Sequence, residues 1–293
     1  MEAHSVYNRH GVMQNKINVE MTPEEFQDFC YPGAKKQRGV NTALSKSDLY
    51  DWITNQGNYF YFLIYRQLLN DFPDCEGLIF KFVYLCTYGD YSTNGGLLIY
   101  NKKPLVYKDF YEILMLSEKR TDETIEEMIN KELLYIDGEN YKPNPKYYLK
   151  GNIGKNKGNV TRIFNKGMQE LYTKSSYREH NLLAHFIPLL PYVNLKYNIL
   201  CKNPEETDIK KLQPFNLKDI CDFFEVDQTN STRLKRKLLS ITVHNVSLIG
   251  YFTRDFGNGL LKCFIVNPYV YYKAPSMRDM ENISKLFDVP NNC

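Results

Sequence analysis

Apolar positions along this chain follow two periods, and the order in which those periods succeed one another is its first legible feature. GLIFKFVYLCTYG, from Gly77 to Gly89, is apolar nearly throughout and predicts a buried helix. GGLLIY (Gly95 to Tyr100) predicts a short strand. KDFYEILML (Lys108 to Leu116) puts Phe110, Ile113 and Leu114 on one helical face. Behind Ser117 as N-cap, SEKRTDETIEEMINKELL spaces Ile125, Met128, Ile129 and Leu133 as one stripe of the next helix. LLYIDGENYKP then supplies two β-like stubs around Asp137-Gly138, a hairpin turn signal.

The second half repeats the order. NLLAHFIPLL (Asn181 to Leu190) predicts a helix ended near Pro191, and FNLKDICDFF predicts another, with Asn216 as N-cap and Leu217, Ile220 and Phe224 inward. VDQ makes a turn. TNSTRLKRKLLSI follows as a helix buried along Leu234, Leu238 and Ile241. SLIGYFTRDFGNGLLKCFIV reads as two β-rich runs around Gly-Asn-Gly. Both halves close alike, with YKPNPKYYLKG (Tyr141 to Gly151) and FIVNPYVYYKAP (Phe264 to Pro275), a repeat signal. Helix, strand, helix, turn, helix, hairpin is the order of a winged helix-turn-helix. The expected fold is therefore mainly α with small β wings (α+β), two winged helix-turn-helix domains in tandem behind an N-terminal helical extension.

The segments expected are an extension over 1–76, a first winged-helix domain over 77–151, a basic linker and connecting helix over 152–180, and a second winged-helix domain over 181–293. Within the extension, Thr22-Pro23-Glu24-Glu25 predicts a capping box opening a short helix, and a second helix is expected from about Lys46 to Gln56. YFYFLIY (Tyr59 to Tyr65) fits either a strand or the start of a buried helix. Between the halves, KGNIGKNKGNV is glycine-rich and polar, the best linker in the chain.

Composition narrows the function classes. A net charge of +3 is too small to imply a nucleic-acid binder, so the argument rests on where the charge lies. The 24 tyrosines and 17 phenylalanines, with frequent Asn, Lys and Ile, read as the coding bias of an AT-rich genome. The seven cysteines form no C-x-x-C pair, which removes zinc ribbons and disulfide frameworks. No metal or other cofactor is expected. No signal peptide and no membrane span are expected either, which places the protein in the cytoplasm, associated with the nucleoid. No P-loop, G-x-S-x-G or H-x-x-x-H pattern occurs, so no enzyme chemistry is expected.

What remains is charge on a helix. Arg233, Lys235, Arg236 and Lys237 sit in a window without an acid from Thr229 to Ser240. The buried stripe leaves Thr229, Asn230, Thr232, Arg233 and Arg236 outward, with Lys235 and Lys237 flanking toward phosphates. The competing reading is a solvated basic face, and the place of this helix between a capped amphipathic helix and a hairpin decides for DNA. The first-half helix offers Lys119 and Arg120 among five acids, and serves either DNA or a partner protein. Lys155, Lys157 and Arg162, within an acid-free run from Lys146 to Gln169, predict a phosphate-contacting strap, and Arg254 is placed at the wing tip near a minor groove.

The wing followed by Asn-Pro, aromatics and Lys resembles the winged-helix replication initiator (Rep) proteins of Firmicute plasmids and related phages, most clearly from Tyr192 to Ala274. That resemblance implies a sequence-specific double-stranded DNA-binding protein of a mobile element, an origin binder. The alternatives are a transcriptional regulator of such an element and a phage protein that binds a host protein rather than DNA. Partners implied are double-stranded DNA, a second copy in a homodimer, and host replication or transcription proteins, with no membrane.

Overall fold

The structure, a computed structural model, describes residues 59–91, 96–151, 160–243, 246–255 and 260–273, with the short stretches 6–7 and 13–14 and positions 280 and 283. Thr22–Glu25, the helix expected from Lys46 to Gln56, and residues 152–159 of the linker lie outside the described residues. In chain order the first elements are β1 (Val6–Tyr7), β2 (Met13–Gln14), β3 (Phe60–Leu63), α1 (Tyr65–Asp71), α2 (Glu76–Leu85), β4 (Ile99–Tyr100) and β5 (Lys103–Pro104). Next come α3 (Asp109–Leu114), α4 (Glu118–Asn130), β6 (Leu134–Asp137), β7 (Asn140–Pro143), β8 (Tyr148–Leu149) and β9 (Thr161–Phe164). The remainder is α5 (Asn165–Lys174), α6 (Tyr177–Ala184), α7 (Phe186–Leu189), α8 (Leu217–Phe223), α9 (Ser231–Ser240), β10 (Thr242–Val243), β11 (Val246–Ser247), β12 (Ile249–Asp255), β13 (Leu260–Val266) and β14 (Tyr271–Tyr272). The fold is α+β, helices with small antiparallel sheets.

Two compact units form: residues 50–191 with 269–273, and residues 192–268 with the chain ends 1–49 and 274–293. They are drawn along different lines from the four sequence segments. Residues 161–174, expected as linker and connecting helix, are strand β9 and helix α5 inside the first unit. Phe60–Leu63, expected in the extension, is a strand of the same sheet, whose order is β14-β9-β3-β8. YFYFLIY is both structures the pattern allowed: Tyr61, Phe62 and Leu63 are buried along the strand, then Tyr65 and Leu68 turn to helical spacing in α1. The helix expected over Asn181 to Leu190 is two pieces, α6 and α7, meeting at His185, and both pack on α2 in the first unit. Ser176 and Glu179 close a capping box at the start of α6.

The tyrosines build this core. Tyr84 and Tyr172 stack with centroids 3.8 Å apart and planes 2° from parallel. Tyr84 donates its hydroxyl to the Ile113 carbonyl, Tyr172 to that of Leu114, and Tyr61 to that of Val83. Burying a phenol without such a partner is costly, so these bonds fix which helix lies against which. In α3, Phe110, Ile113 and Leu114 are buried, as their spacing implied, and Ser117 takes the extended N-cap conformation of α4 without a side-chain cap bond. Asp137 and Asn140 pair across the hairpin turn, where Gly138 has φ of +66°.

The repeat is written in the hydrogen bonds. β3 pairs with its own closing strand, Phe62 opposite Leu149 and Leu63 opposite Tyr148. β9 does the same, Arg162 opposite Tyr272 and Ile163 opposite Tyr271. The two opening strands pair antiparallel with Phe62 opposite Arg162 at the centre, and each runs directly into a helix, α1 and α5. Within the first copy, Leu98 N–H donates to Tyr141 O at 2.8 Å and Leu105 N–H to Leu98 O at 2.8 Å. Within the second, Leu200 N–H donates to Phe264 O at 2.9 Å and Phe215 N–H to Leu200 O at 2.8 Å. Asn144 N–H reaches Leu133 O, and Asn267 N–H reaches Leu248 O. Each asparagine also donates its side-chain amide to the preceding residue's carbonyl, Glu132 at 2.6 Å and Ser247 at 3.0 Å. The Asn of each Asn-Pro thus ties the end of its hairpin back to the start.

In the second unit, Asn194 organises the loop ahead of α8. Its amide donates to the carbonyls of Pro204 (2.9 Å) and Glu206 (2.8 Å), and its Oδ1 accepts the Lys196 and Tyr197 N–H groups. The loop delivers the chain to α8, α9 and the β12–β13 hairpin, with the small β10–β11 hairpin inserted after α9.

Candidate nucleic-acid interface

Helix α8 is set by its cap. Asn216 Oδ1 accepts the Asp219 N–H at 3.0 Å, and Asp219 returns a carboxylate oxygen to the Asn216 N–H at 2.9 Å. Ile220 and Cys221 are buried, whereas Leu217 and Phe224 are half-buried. Asp227 then caps a 3-10 turn over Gln228–Asn230, accepting the Thr229 N–H (2.8 Å) and hydroxyl (2.7 Å). The Thr229 hydroxyl bond, then its N–H, hold the Asp227 carboxyl below its ordinary range. Thr229 and Asn230, expected in the helix, therefore lie in this turn, and the α-helix proper begins at Ser231.

Along α9, Leu234, Leu238 and the following Ile241 are buried, as their spacing required. Thr229, Asn230, Thr232, Arg233, Arg236 and Lys237 are exposed and Lys235 is half-buried, its Nζ 5.0 Å from the centre of the Tyr251 ring. Among the described residues, Arg233, Arg236 and Lys237 have no ion-pair partner. The local acids, Asp222, Glu225 and Asp227, all precede the helix in α8 and the turn, so the acid-free cationic face starts at Arg233.

The equivalent helix of the first copy has the opposite sign. Leu133 N–H bonds to Met128 O where Leu248 N–H bonds to Ile241 O, which aligns α4 with α9. Buried Thr121 and Ile125 then correspond to Leu234 and Leu238, and Arg120 to Arg233. Asp122 stands where α9 has Lys235, and Glu123 where it has Arg236. Lys119 is 3.9 Å from Glu123 and Lys131 is 4.0 Å from Glu127. Glu118, Arg120, Glu126 and Glu127 are exposed. Asp122 accepts the Tyr107 and Tyr111 hydroxyls at 2.7 and 2.8 Å, and these two bonds, Tyr107 first, keep its carboxyl ionised.

The described cations of the expected strap, Lys146, Lys150 and Arg162, each turn to a separate partner. Lys146 pairs with Asp71 at 2.6 Å. Lys150 donates to the Gly89 carbonyl and lies 4.4 Å over the Tyr91 ring. Arg162 is half-buried on β9, its guanidinium 5.5 Å from the Phe62 ring and 6.0 Å from that of Tyr272, and burial lowers its pKa. TRIF is a strand because it pairs with β3, a hundred positions away in sequence, a pairing that a linear reading cannot see. Lys155 and Lys157 lie outside the described residues. Arg254 belongs to β12, paired with Leu261, rather than to a turn, and its side chain lies outside the described residues. Sequence reasoning missed Lys262, exposed on β13 and without an ion-pair partner among the described residues. Its signal was its place two residues before the buried Phe264 in LKCFIV.

Among the described residues, no group of three or more His, Cys, Asp or Glu side chains could hold a metal, and no helix is long and apolar enough to cross a membrane. Comparison with protein-family models, curated proteins and solved structures finds no match to this chain.

Proposed function

We propose that each copy is a winged helix-turn-helix and that the second binds double-stranded DNA through α9. The observation that carries the reading is the face of Arg233, Arg236 and Lys237: exposed, outward from a buried leucine stripe, and without carboxylate partners among the described residues. Exposed cations left unpaired on a helix beside a hairpin are what a phosphate backbone and base edges require. The helix–strand–helix–turn–helix–hairpin order and the return bonds of Asn144 and Asn267 support the same architecture. The role we assign is origin binding for a plasmid- or phage-type element, with transcriptional regulation of such an element as the rival that would use the same contacts. The acidic face of α4, with Met115 and Ile136 exposed nearby in sequence, favours a protein partner for the first copy.

A fluorescence-anisotropy titration at two salt concentrations tests this, comparing the gene's own upstream and internal DNA with a scrambled duplex. Binding to one of its own segments at least about a thousandfold tighter than to the scramble is expected of a sequence reader. Failure to bind any duplex would refute the DNA reading.

A further inference from the structure

Lys235 and Lys262 lie on different elements, yet the sheet register brings them to one side of one ring. Tyr251 pairs with Phe264 across β12–β13, and their rings are 4.6 Å apart, so both side chains lie on the same face of the hairpin. Lys262 pairs with Thr253, two residues from Phe264 and therefore on that face too. It is the diagonal neighbour of Tyr251, roughly 7–8 Å away. From the helix side, Lys235 extends its Nζ over the same Tyr251 ring at 5.0 Å. The face of the hairpin toward α9 thus carries Lys262 diagonal to a ring that Lys235 reaches from the helix. Neither lysine has an ion-pair partner among the described residues, and Lys262 is exposed while Phe264 beside it is buried.

We propose that Lys262, together with Lys235, holds a backbone phosphate of the duplex whose major groove α9 occupies, so that the hairpin clamps the DNA beside the helix. This rests on the DNA reading given above. The side chains divide the task by position. Arg233 and Arg236 point outward from the helix toward base edges, while the Lys235–Tyr251–Lys262 strip is set back on the hairpin side, where the flanking strand passes. A phosphate there meets the Lys235 ammonium, held over the Tyr251 ring, and Lys262, exposed on the same hairpin face. The contact therefore adds affinity without sequence information.

The test uses the full chain with Lys262→Gln and Lys262→Arg, titrated over a salt series against its own site and a scrambled duplex. One lost phosphate contact lowers the slope of log affinity against log salt by about 0.9, which at about 0.1 M salt weakens binding about eightfold. Lys262→Gln is expected to show that loss equally on both duplexes, and Lys262→Arg to restore the wild-type slope. If Lys262→Gln keeps the wild-type slope while the Arg233/Arg236 double variant loses binding, the clamp is refuted and the DNA reading stands. A loss confined to the specific site would also overturn it, because that is base reading. If the wild type binds no duplex, both fall together.

Discussion

Replacing Arg233 and Arg236 together by alanine separates a reading helix from a solvated face. Both side chains are exposed, neither has an ion-pair partner among the described residues, and both point away from Leu234 and Leu238. Their removal should therefore change the stability of the fold by less than about 0.5 kcal/mol. On DNA the arithmetic differs. If both contact phosphates, the salt slope drops by about 1.8, and at about 0.1 M salt every duplex binds about sixtyfold more weakly. If either reads a guanine, a further loss of about 1–3 kcal/mol per residue falls on the specific site alone. Anisotropy titrations on specific and scrambled duplexes therefore read the two contributions separately, and a urea melt checks that the fold is intact. Lys119→Ala with Arg120→Ala is the internal control. Those cations stand among Glu118, Glu123 and Glu126 on α4, so affinity should change by no more than about twofold. Wild-type affinity and slope in the Arg233/Arg236 variant would refute the assignment of α9, whatever the control does.

Two further outcomes follow from the core. Asn267→Ala removes the amide donor to the Ser247 carbonyl at a fully buried side chain, and Asn144→Ala removes the donor to the Glu132 carbonyl at a nearly buried one, so each should cost about 1–3 kcal/mol in a denaturant melt. A cost below about 0.5 kcal/mol in either would break the claimed equivalence of the two Asn-Pro ties. Acid should destabilise the protein: Asp71 is held below its ordinary range by the Lys146 and Tyr147 hydrogen bonds, Asp122 by Tyr107 and Tyr111, and Glu179 by the Ser176 N–H and hydroxyl. Their folded-state pKa values lie below the unfolded ones, so the stabilisation is complete above about pH 5 and drains away as pH falls through the folded values. A melting temperature that stays level from about pH 5 down to about pH 3 would contradict these assignments.

How much of this was legible in the chain follows from how local each cause is. Phe110, Ile113 and Leu114, like Leu234, Leu238 and Ile241, announce their buried faces because a helix sets its own spacing within a few residues. The α9 cations were legible for the same reason. The Phe62–Arg162 pairing was not, because its partners are a hundred positions apart and each strand alone looks like a loop or a helix start. For the same reason the basic run from Lys146 to Arg162 looked like one surface. Its described members Lys146, Lys150 and Arg162 turn to Asp71, to the Gly89 carbonyl and to aromatic rings of the sheet, contacts that only the fold creates.

The repeat shows which of these layers is free to diverge. Both copies keep the bond that ties the hairpin's start to the helix, Leu133 N–H to Met128 O and Leu248 N–H to Ile241 O, and both keep the buried asparagine. They differ on the outward face of the helix those bonds position, where Asp122 and Glu123 stand in one copy and Lys235 and Arg236 in the other. Buried stripe and hairpin ties cost stability when altered, whereas exposed charges cost almost none. A duplicated scaffold can therefore reverse the sign of one helix without disturbing its geometry, and between these two helices the acid-free cationic face is that of the second copy.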